Sequence, residues 1–230
     1  MQKEHRFTAQ NTWDTIAESF DTTRKKPWSI CLDYISTLQP NDIIVDIGCG
    51  NGRHLIPSAQ RCSQAIGIDL SQKFLMIINN KIKKMNLTNI ALIHGDAVHL
   101  PFTDQSIDAI LFIASLHNIQ GKAHRQQALL ELARVLKPQG TALISVWSRW
   151  QDKYYRHFFK QYFKRDHEFG DINIYWKQHN LNIPRFYHLY SRGEFRKELQ
   201  QTGLTIQSLK SVYITSRRFP DNYFAVLQKA

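Results

Sequence analysis

The chain has little cysteine and no long hydrophobic run, and each absence excludes a class of protein. Its three cysteines, Cys31, Cys49 and Cys62, form no CxxC pair, so they indicate neither a disulfide framework nor a zinc site. We therefore expect free thiols and no bound metal. No segment reaches the roughly 18 consecutive apolar residues of a membrane helix, and the polar N-terminus predicts no signal peptide. A cytoplasmic protein that does not contact a membrane is expected.

Acidic residues are also few, since 19 Asp and Glu stand against 30 Lys and Arg, for a net charge of +11. The excess is uneven. Residues 1–41 are neutral overall, whereas residues 148–230 carry fifteen basic and seven acidic residues, a net charge of +8. A basic region of this kind attracts polyanions such as RNA. Ordinary surface lysines and arginines account for part of the excess.

Short apolar, β-branched runs alternate with helical stretches between residues 41 and 147. This alternation predicts a parallel sheet with helices on both faces. Residues 1–40 predict a helical extension, and residues 148–190 a basic helical insertion without strand alternation. Residues 191–230 predict a helix and two closing antiparallel strands. We therefore expect one α/β domain over residues 1–230, built on a doubly wound, mostly parallel, seven-stranded sheet.

A glycine-rich loop follows the first predicted strand. Gly48, Gly50 and Gly52 form GxGxG, which differs from the GxGxxG of dinucleotide-binding proteins. Glycine lets the backbone approach a ligand closely, and a loop between a strand and a helix is a common cofactor site. A tight structural turn is the alternative. Asp69 and Asp96 end the next two strands, where carboxylates suit ribose hydroxyls and an adenine amino group.

Together, "VDIGCGNG", Asp69 and "GDAVHLPF" resemble the S-adenosylmethionine site of the class I methyltransferases. The resemblance covers roughly residues 40–147 and implies a Rossmann-like fold with S-adenosylmethionine as the cofactor. For Asp46, a structural role in ordering the loop remains the alternative. The cofactor-binding residues that the resemblance implies are Asp46, Gly48, Cys49, Gly50, Gly52, Asp69, Leu70, Asp96 and Ala97.

Over nearly its whole length, the chain is similar to the tRNA wobble-uridine carboxymethyl methyltransferases. The similarity rests on the order and spacing of several short segments: Thr23-Arg24, Lys26-Pro27-Trp28, His117 with Arg125, "RVLKPQGTALISVW", "RFYHLY" and Asn222-Tyr223. The sequence departs from that pattern at Asn118-Ile119 and at Pro138-Gln139-Gly140. The similarity implies methyl esterification of a carboxymethyl group, or a related acid, on C5 of the wobble uridine in a tRNA anticodon stem-loop. It also implies a small zinc-binding activator subunit as a partner, which would supply any zinc.

The chemistry of this reaction indicates which residues could contact the acceptor. A carboxylate with an ordinary pKa of about 4 is already ionised at neutral pH, so it needs positioning in line with the sulfonium methyl group and no general base. We expect His117 and Arg125 to orient it. The alternatives are a loop histidine bonded to backbone and a helix-start arginine paired with a surface acid. Further substrate contacts, for which a solvated charge run is the alternative, are expected at Arg24, Lys26, Trp28, Arg185, Tyr187 and His188.

Two other functions are compatible with the same cofactor-binding region. One is a small-molecule O-methyltransferase that acts on a quinone precursor or a small carboxylic acid. The other is a catalytically silent partner that keeps the fold. Salt-sensitive binding of tRNA separates the first from a tRNA enzyme, because phosphate contacts release counterions. Measurable binding of S-adenosylmethionine argues against the second. The aromatic residues at helical spacing between Tyr154 and Phe163 are expected to pack in a core rather than to stack on bases.

Overall fold

The computed structural model describes residues 2–161 and 168–230, and strands β1–β5, β8 and β9 form a seven-stranded sheet in the order β3-β2-β1-β4-β5-β9-β8. The first five strands are parallel, and β9 runs antiparallel to both β5 and β8. This confirms the predicted mostly parallel sheet with two closing antiparallel strands. The strands are β1 (Ile43–Ile47), β2 (Gln64–Asp69), β3 (Ile90–His94), β4 (Ile107–Ile113), β5 (Leu136–Trp147), β6 (Asp171–Trp176), β7 (Ile183–His188), β8 (Thr205–Val212) and β9 (Asn222–Gln228).

Helices cover both faces of this sheet. Ser71 caps α4, since its side-chain oxygen accepts the N–H of Phe74, as expected for serine at this position. Helix α5 ends before Pro138, which lies inside β5. The helices are α1 (Gln2–Thr23), α2 (Ser29–Ile35), α3 (Leu55–Ala59), α4 (Gln72–Met85), α5 (Lys122–Val135), α6 (Tyr155–Gln161) and α7 (Arg192–Gln200).

The core is divided into two layers by the alternation of side chains along the buried strands. Val45 and Ile47 of β1 face one cluster, which includes Leu132 of α5 and residues of α7. Ile44, which directly precedes Val45, faces the other cluster together with residues of α2 and α3. Both faces of β1 are therefore buried, which explains why its sequence is a continuous apolar run interrupted only by Asp46.

The insertion before the last two strands differs from the helical segment that the sequence predicted. It contains the short helix α6, but also an antiparallel hairpin of β6 and β7 in which Asp171 pairs with His188 and Trp176 with Ile183. Alternate residues of β6, such as Ile174 and Trp176, are buried, so the period of two was present. The basic and aromatic composition of the segment obscured it.

The predicted packing of the aromatic residues in this insertion has a mixed outcome. Tyr154 and Phe158 are buried in a small core with Leu189, whereas Phe159 is 71% exposed. Tyr162 and Phe163 lie outside the described residues. No helix within residues 2–161 and 168–230 has both the length and the apolar character needed to cross a bilayer.

Candidate active site

A cleft of about 990 Å³ opens at the carboxyl ends of the parallel strands, where open α/β sheets bind their ligands. The first strands deliver carboxylates to one end of this cleft: Asp46 from β1, Asp69 from the end of β2 and Asp96 from the residues after β3. Helix α1 and the β6–β7 hairpin close the other sides with aromatic side chains, among them Trp13 and Trp176.

The glycine loop is shaped by contacts to the neighbouring strand. The N–H of Gly48 donates to the carbonyl of Ile68 at 2.7 Å, and the N–H of Gly50 donates to Oδ2 of Asp69 at 2.8 Å. Gly48 has φ of +67°, and a Cβ there would lie 2.3 Å from Oγ of Ser115, so only glycine fits. At Gly50 a Cβ would meet only a ring carbon of Phe20 at 4.0 Å. The cleft is therefore open directly above the loop.

Asp46 is buried, and its Oδ2 has no hydrogen-bond partner among the described residues. Burial, reinforced by the nearby charge of Asp69 and opposed by Arg53, raises the pKa of Asp46 to about 8. Burial also raises the pKa of Asp69 to about 6, although the N–H groups of Ser71 and Gly50 oppose the shift. An unpartnered buried carboxyl group is costly. A cationic ligand in this end of the cleft would relieve that cost, and S-adenosylmethionine, with its sulfonium and amino groups, fits it.

These shifts predict that cofactor affinity depends on pH. A positively charged ligand favours the ionised carboxylate, and Asp46 ionises only as the pH rises through about 8. The Kd for S-adenosylmethionine should therefore fall by roughly tenfold or more between pH 6 and pH 8, as measured by titration calorimetry. Asp46→Asn should flatten this dependence. Asp33→Asn, which alters an exposed acid on α2, should leave it unchanged, and an affinity of the wild type that is constant over this range would contradict the assignment.

The same cleft is also lined by a buried cation, Arg185 of β7, which is only 7% exposed. Its guanidinium carbon lies 4.9 Å from the ring centre of Trp176, 5.1 Å from that of Tyr187 and 5.7 Å from that of Trp13. Its Nε has no hydrogen-bond partner, and no carboxylate within the described part of the chain pairs with it. Burial lowers its pKa, but a guanidinium remains charged.

His117 lies beside this cation, in a short 3₁₀ turn after β4. Its ring stacks on Tyr187 with centres 5.3 Å apart, and its Nδ1 accepts the N–H of Trp147 at 3.1 Å. Burial, then the charges of Arg185 and His188, lower the pKa of His117 to about 3. The ring is therefore neutral with its proton on Nε2, and that atom has no partner among the described residues. It is a hydrogen-bond donor without an acceptor, in a residue that lines the cleft.

Arg125 does not lie in the cleft, contrary to the expectation that it orients the acceptor. Its side chain is 0% exposed and forms an ion pair with Glu168, while Glu198 lies 3.8 Å away. Its guanidinium also stands over the ring of Tyr190. Arg125 is therefore compensated inside the protein. The alternative that the sequence left open, an arginine paired with a surface acid, is met only in part, because Arg125 and Glu198 are buried.

His188 also lies outside the cleft, although it was expected to contact the substrate. Its Nδ1 is 2.7 Å from Oδ1 of Asp171 and its Nε2 is 3.1 Å from Oε1 of Glu194. Burial would lower its pKa, but these two carboxylates raise it. Glu168, His188 and Glu194 could geometrically surround a metal ion. Since Arg125 and Arg149 already pair with the two glutamates, the cluster is an internal ionic network rather than a metal centre.

Of the other predicted site residues, some line the cleft and others do not. Gly52 lies outside the cleft, and a Cβ there would press on Ile78 at 3.1 Å, so this glycine serves packing against α4. Lys26 is exposed and does not line the cleft. The predicted residues that do line it are Arg24, Trp28, Asp46, Gly48, Cys49, Gly50, Asp69, Leu70, Asp96, Ala97, His117, Arg185 and Tyr187.

Several lining residues were not foreseen from the sequence. Trp147 ends β5 at the same edge of the sheet as the acids and stacks on Tyr187 with centres 4.9 Å apart. The rule that ligands bind at carboxyl ends of strands was sufficient to find it. Trp13 and Trp176 carry no local signal, because α1 and the hairpin reach the cleft only through long-range packing. The indole N–H of Trp176 donates to Oγ of Ser19 at 2.8 Å and ties the hairpin to α1.

Comparison with known proteins agrees with this geometry. Residues 45–144 match the family described as a methyltransferase domain. A chain of an S-adenosylmethionine-dependent methyltransferase from Methanosarcina mazei superimposes with a TM-score of 0.74 at 22% identity, over 89% of this chain and 98% of that one. The fold is thus that of the class I methyltransferases. The matched residues include the glycine loop and the three acids, and together with this fold the match implies S-adenosylmethionine as the cofactor.

Curated relatives carry narrower names. A tRNA (carboxymethyluridine(34)-5-O)-methyltransferase of Schizosaccharomyces pombe is 28% identical over 208 residues, which cover 84% of this chain and 87% of that protein. A protein of the same name from Arabidopsis thaliana is 34% identical over 140 residues, or 61% of this chain and 32% of that protein. The chain thus spans about a third of the length of this plant relative.

Proposed function

We propose that the protein is an S-adenosylmethionine-dependent tRNA methyltransferase that esterifies a carboxymethyl group on C5 of the wobble uridine. The observation that carries this proposal is Arg185, a buried cation that faces the cleft without a counter-ion in the described chain. Leaving such a charge unpaired costs free energy, which an anionic acceptor would recover. The names of the relatives from fission yeast and Arabidopsis thaliana support a carboxylate on uridine as that anion.

The residues around Arg185 suit a planar base that carries a carboxylate. Trp147 and Tyr187 stack on each other beside His117, and the guanidinium of Arg185 also lies against the rings of Trp176 and Trp13. Aromatic side chains that stack with unpaired bases are the usual means of recognising single-stranded RNA. In the proposal, the uracil ring stacks against this group of rings while its carboxylate meets Arg185.

The reaction requires positioning rather than proton abstraction. Bound S-adenosylmethionine supplies an electrophilic methyl group, and the acceptor carboxylate is already a nucleophile at neutral pH. Arg185 holds one carboxylate oxygen, and the Nε2–H of His117 is placed to donate to the group as well. A neutral histidine orients the acceptor without withdrawing as much charge as a second cation. Fixing two reactants in this way can lower a barrier by about 7–11 kcal/mol.

His117→Ala should separate this role from a purely structural one. We expect kcat/KM for the acceptor to fall by about tenfold to a hundredfold, which corresponds to the loss of about 1–3 kcal/mol when one hydrogen bond is removed. Because His117 accepts the Trp147 N–H only through Nδ1, His117→Asn can keep that contact and should recover little activity. Cofactor affinity should not change. If His117→Ala instead lowers the melting temperature markedly along with the acceptor turnover, His117 has a structural role.

We further propose cytoplasmic tRNA, through its anticodon stem-loop, as the substrate and a small zinc-binding activator subunit as a partner. A chain of the complex between the Haloferax volcanii Trm112 methyltransferase activator and a methyltransferase superimposes with a TM-score of 0.69 at 16% identity, over 96% of each chain. This likeness supports the fold, and the activator in that complex suggests the kind of partner. The three cysteines here are buried and free, so any zinc would belong to the activator.

The decisive experiment identifies the labelled product. The protein is incubated with methyl-labelled S-adenosylmethionine and tRNA that lacks the terminal methyl ester, with and without a candidate activator, and the RNA is digested to nucleosides. We expect label in a wobble uridine. Mild alkali should release this label, since methyl esters hydrolyse in alkali whereas methyl groups attached to a nucleobase do not. Cofactor binding without any label in RNA, under both conditions, would refute the proposal and favour a small-molecule acceptor.

A further inference from the structure

A basic surface lies at the mouth of the cleft, formed by the start of α6 and the loop between β8 and β9. We call it the mouth surface. Its cations are solvent-exposed side chains that alternate with half-buried aromatic rings. Lys153 on one side, and Ile214 and Thr215 on the other, also line the cleft, so the surface is continuous with the site. It comprises Lys153, Tyr155, Arg156, Arg217, Arg218 and Phe219.

The loop half of the mouth surface is held in place by two carboxylates. Asp152 accepts the backbone N–H groups of Arg217, Arg218 and Phe219 at 2.9, 3.1 and 3.0 Å. Asp221 accepts the N–H groups of three residues earlier in the loop, at 2.7 to 2.9 Å. These hydrogen bonds engage the carboxylates of Asp152 and Asp221. They also fix the backbone from which Arg217 and Arg218 project. A preformed surface loses less conformational freedom when it binds a ligand.

The cations of the mouth surface remain available to bind an anionic ligand. Within residues 2–161 and 168–230, no carboxylate forms an ion pair with Lys153, Arg156, Arg217 or Arg218. Arg218 instead stands 5.3 Å from the ring centre of Phe219 and Arg156 5.8 Å from that of Tyr155. The two rings are 5.4 Å apart. Cations and rings thus form one connected strip.

We propose that the mouth surface binds the sugar-phosphate backbone and bases of the RNA nucleotides next to the one that enters the cleft. This inference rests on the proposed function. Four cations that have no ion-pair partner in the described part of the chain attract phosphates, and the rings between them accept stacked bases. This combination is found where proteins hold single-stranded RNA. An acidic peptide would use the cations but not the rings. The surface would thus hold the anticodon loop while the wobble base reaches Arg185.

The test is a triple variant, Arg156→Gln with Arg217→Gln and Arg218→Gln, against a matched control. The control removes the same three charges from exposed positions that do not line the cleft: Arg61→Gln, Lys83→Gln and Lys84→Gln. Binding of a fluorescent anticodon stem-loop is measured by anisotropy over a range of salt concentrations. Each lost phosphate contact should reduce the slope of log Kd against log salt by roughly 0.7–0.9.

We expect the mouth variant to weaken binding about tenfold to a hundredfold at moderate salt and to lower the slope by roughly 2, while the control changes little. KM for tRNA should rise, kcat at saturation should hold, and calorimetric affinity for S-adenosylmethionine should match the wild type, which excludes misfolding. If the wild type esterifies tRNA and the two triple variants behave alike, the mouth surface is not the binding site, although the proposed function stands. If the wild type neither binds nor labels tRNA, both proposals fail.

Discussion

Arg185→Ala should lower kcat/KM for the carboxylate acceptor by about a hundredfold to a thousandfold while leaving cofactor affinity unchanged. Truncating one partner of a buried charged pair typically costs about 2–5 kcal/mol, and Arg185 is only 7% exposed in the free protein. The acceptor carboxylate would then enter the aromatic pocket without the buried cation that is proposed to hold it. Steady-state kinetics with tRNA, combined with calorimetry for S-adenosylmethionine, measures both quantities.

The stability of this variant should move in the opposite direction from its activity. Because Arg185 is a buried cation without a counter-ion in the described chain, removing it relieves a desolvation cost. The melting temperature should therefore stay level or rise. Arg196→Ala, an exposed arginine on α7, is the matched control and should leave both activity and stability near wild type. Arg185→Ala with normal turnover would show that the anion lies elsewhere.

Arg125→Met should have the second large effect, on folding rather than on catalysis. The arginine is 0% exposed and compensates Glu198, which is itself buried, and the partly exposed Glu168. Removing one member of a buried ion pair leaves an uncompensated charge and typically costs about 3–5 kcal/mol. Urea unfolding should report that loss in the free energy of unfolding, with kcat/KM of the remaining folded protein close to wild type.

A second substitution distinguishes this explanation from simple loss of packing. Glu198→Gln, introduced into Arg125→Met, removes the stranded carboxylate while keeping the hydrogen bond from the Tyr190 hydroxyl, which is 2.8 Å from Oε2 of Glu198. Part of the lost stability should return. Should Arg125→Met instead leave stability intact and abolish turnover, Arg125 would reach the acceptor after all, as the sequence similarity implied.

The two arginines illustrate what the sequence predicted and what it did not. The strands of the parallel core, the glycine loop and the acids were predictable, because apolar runs reveal buried strands and parallel strands bring their carboxyl ends to one edge. Arg125 and Arg185 have the same side chain, and the difference between them is set by residues far away in the chain. Glu168 lies 43 residues from Arg125, and Trp13 comes from the first helix. No local pattern reports such a pairing.

The hairpin was missed for a different reason. Ile172, Ile174 and Trp176 recur with a period of two in β6, which is a strand signal, but the segment is short and its composition basic and aromatic. The hairpin carries Arg185 and Tyr187 to the cleft, so part of the proposed acceptor site depends on an element that the sequence did not predict. The cofactor end depends on the parallel core, which it did predict.

The aromatic lining of the cleft gives the molecule a built-in optical signal. Trp13, Trp28, Trp147 and Trp176, four of its five tryptophans, line the cleft. Most of the intrinsic fluorescence therefore originates where ligands enter, and two of these indoles lie against the guanidinium of Arg185. Arrival of a nucleobase or an adenine ring changes the surroundings of these emitters directly. Occupancy of the site can thus be followed in real time on the unlabelled protein, which makes rapid-mixing studies of the order of binding practical.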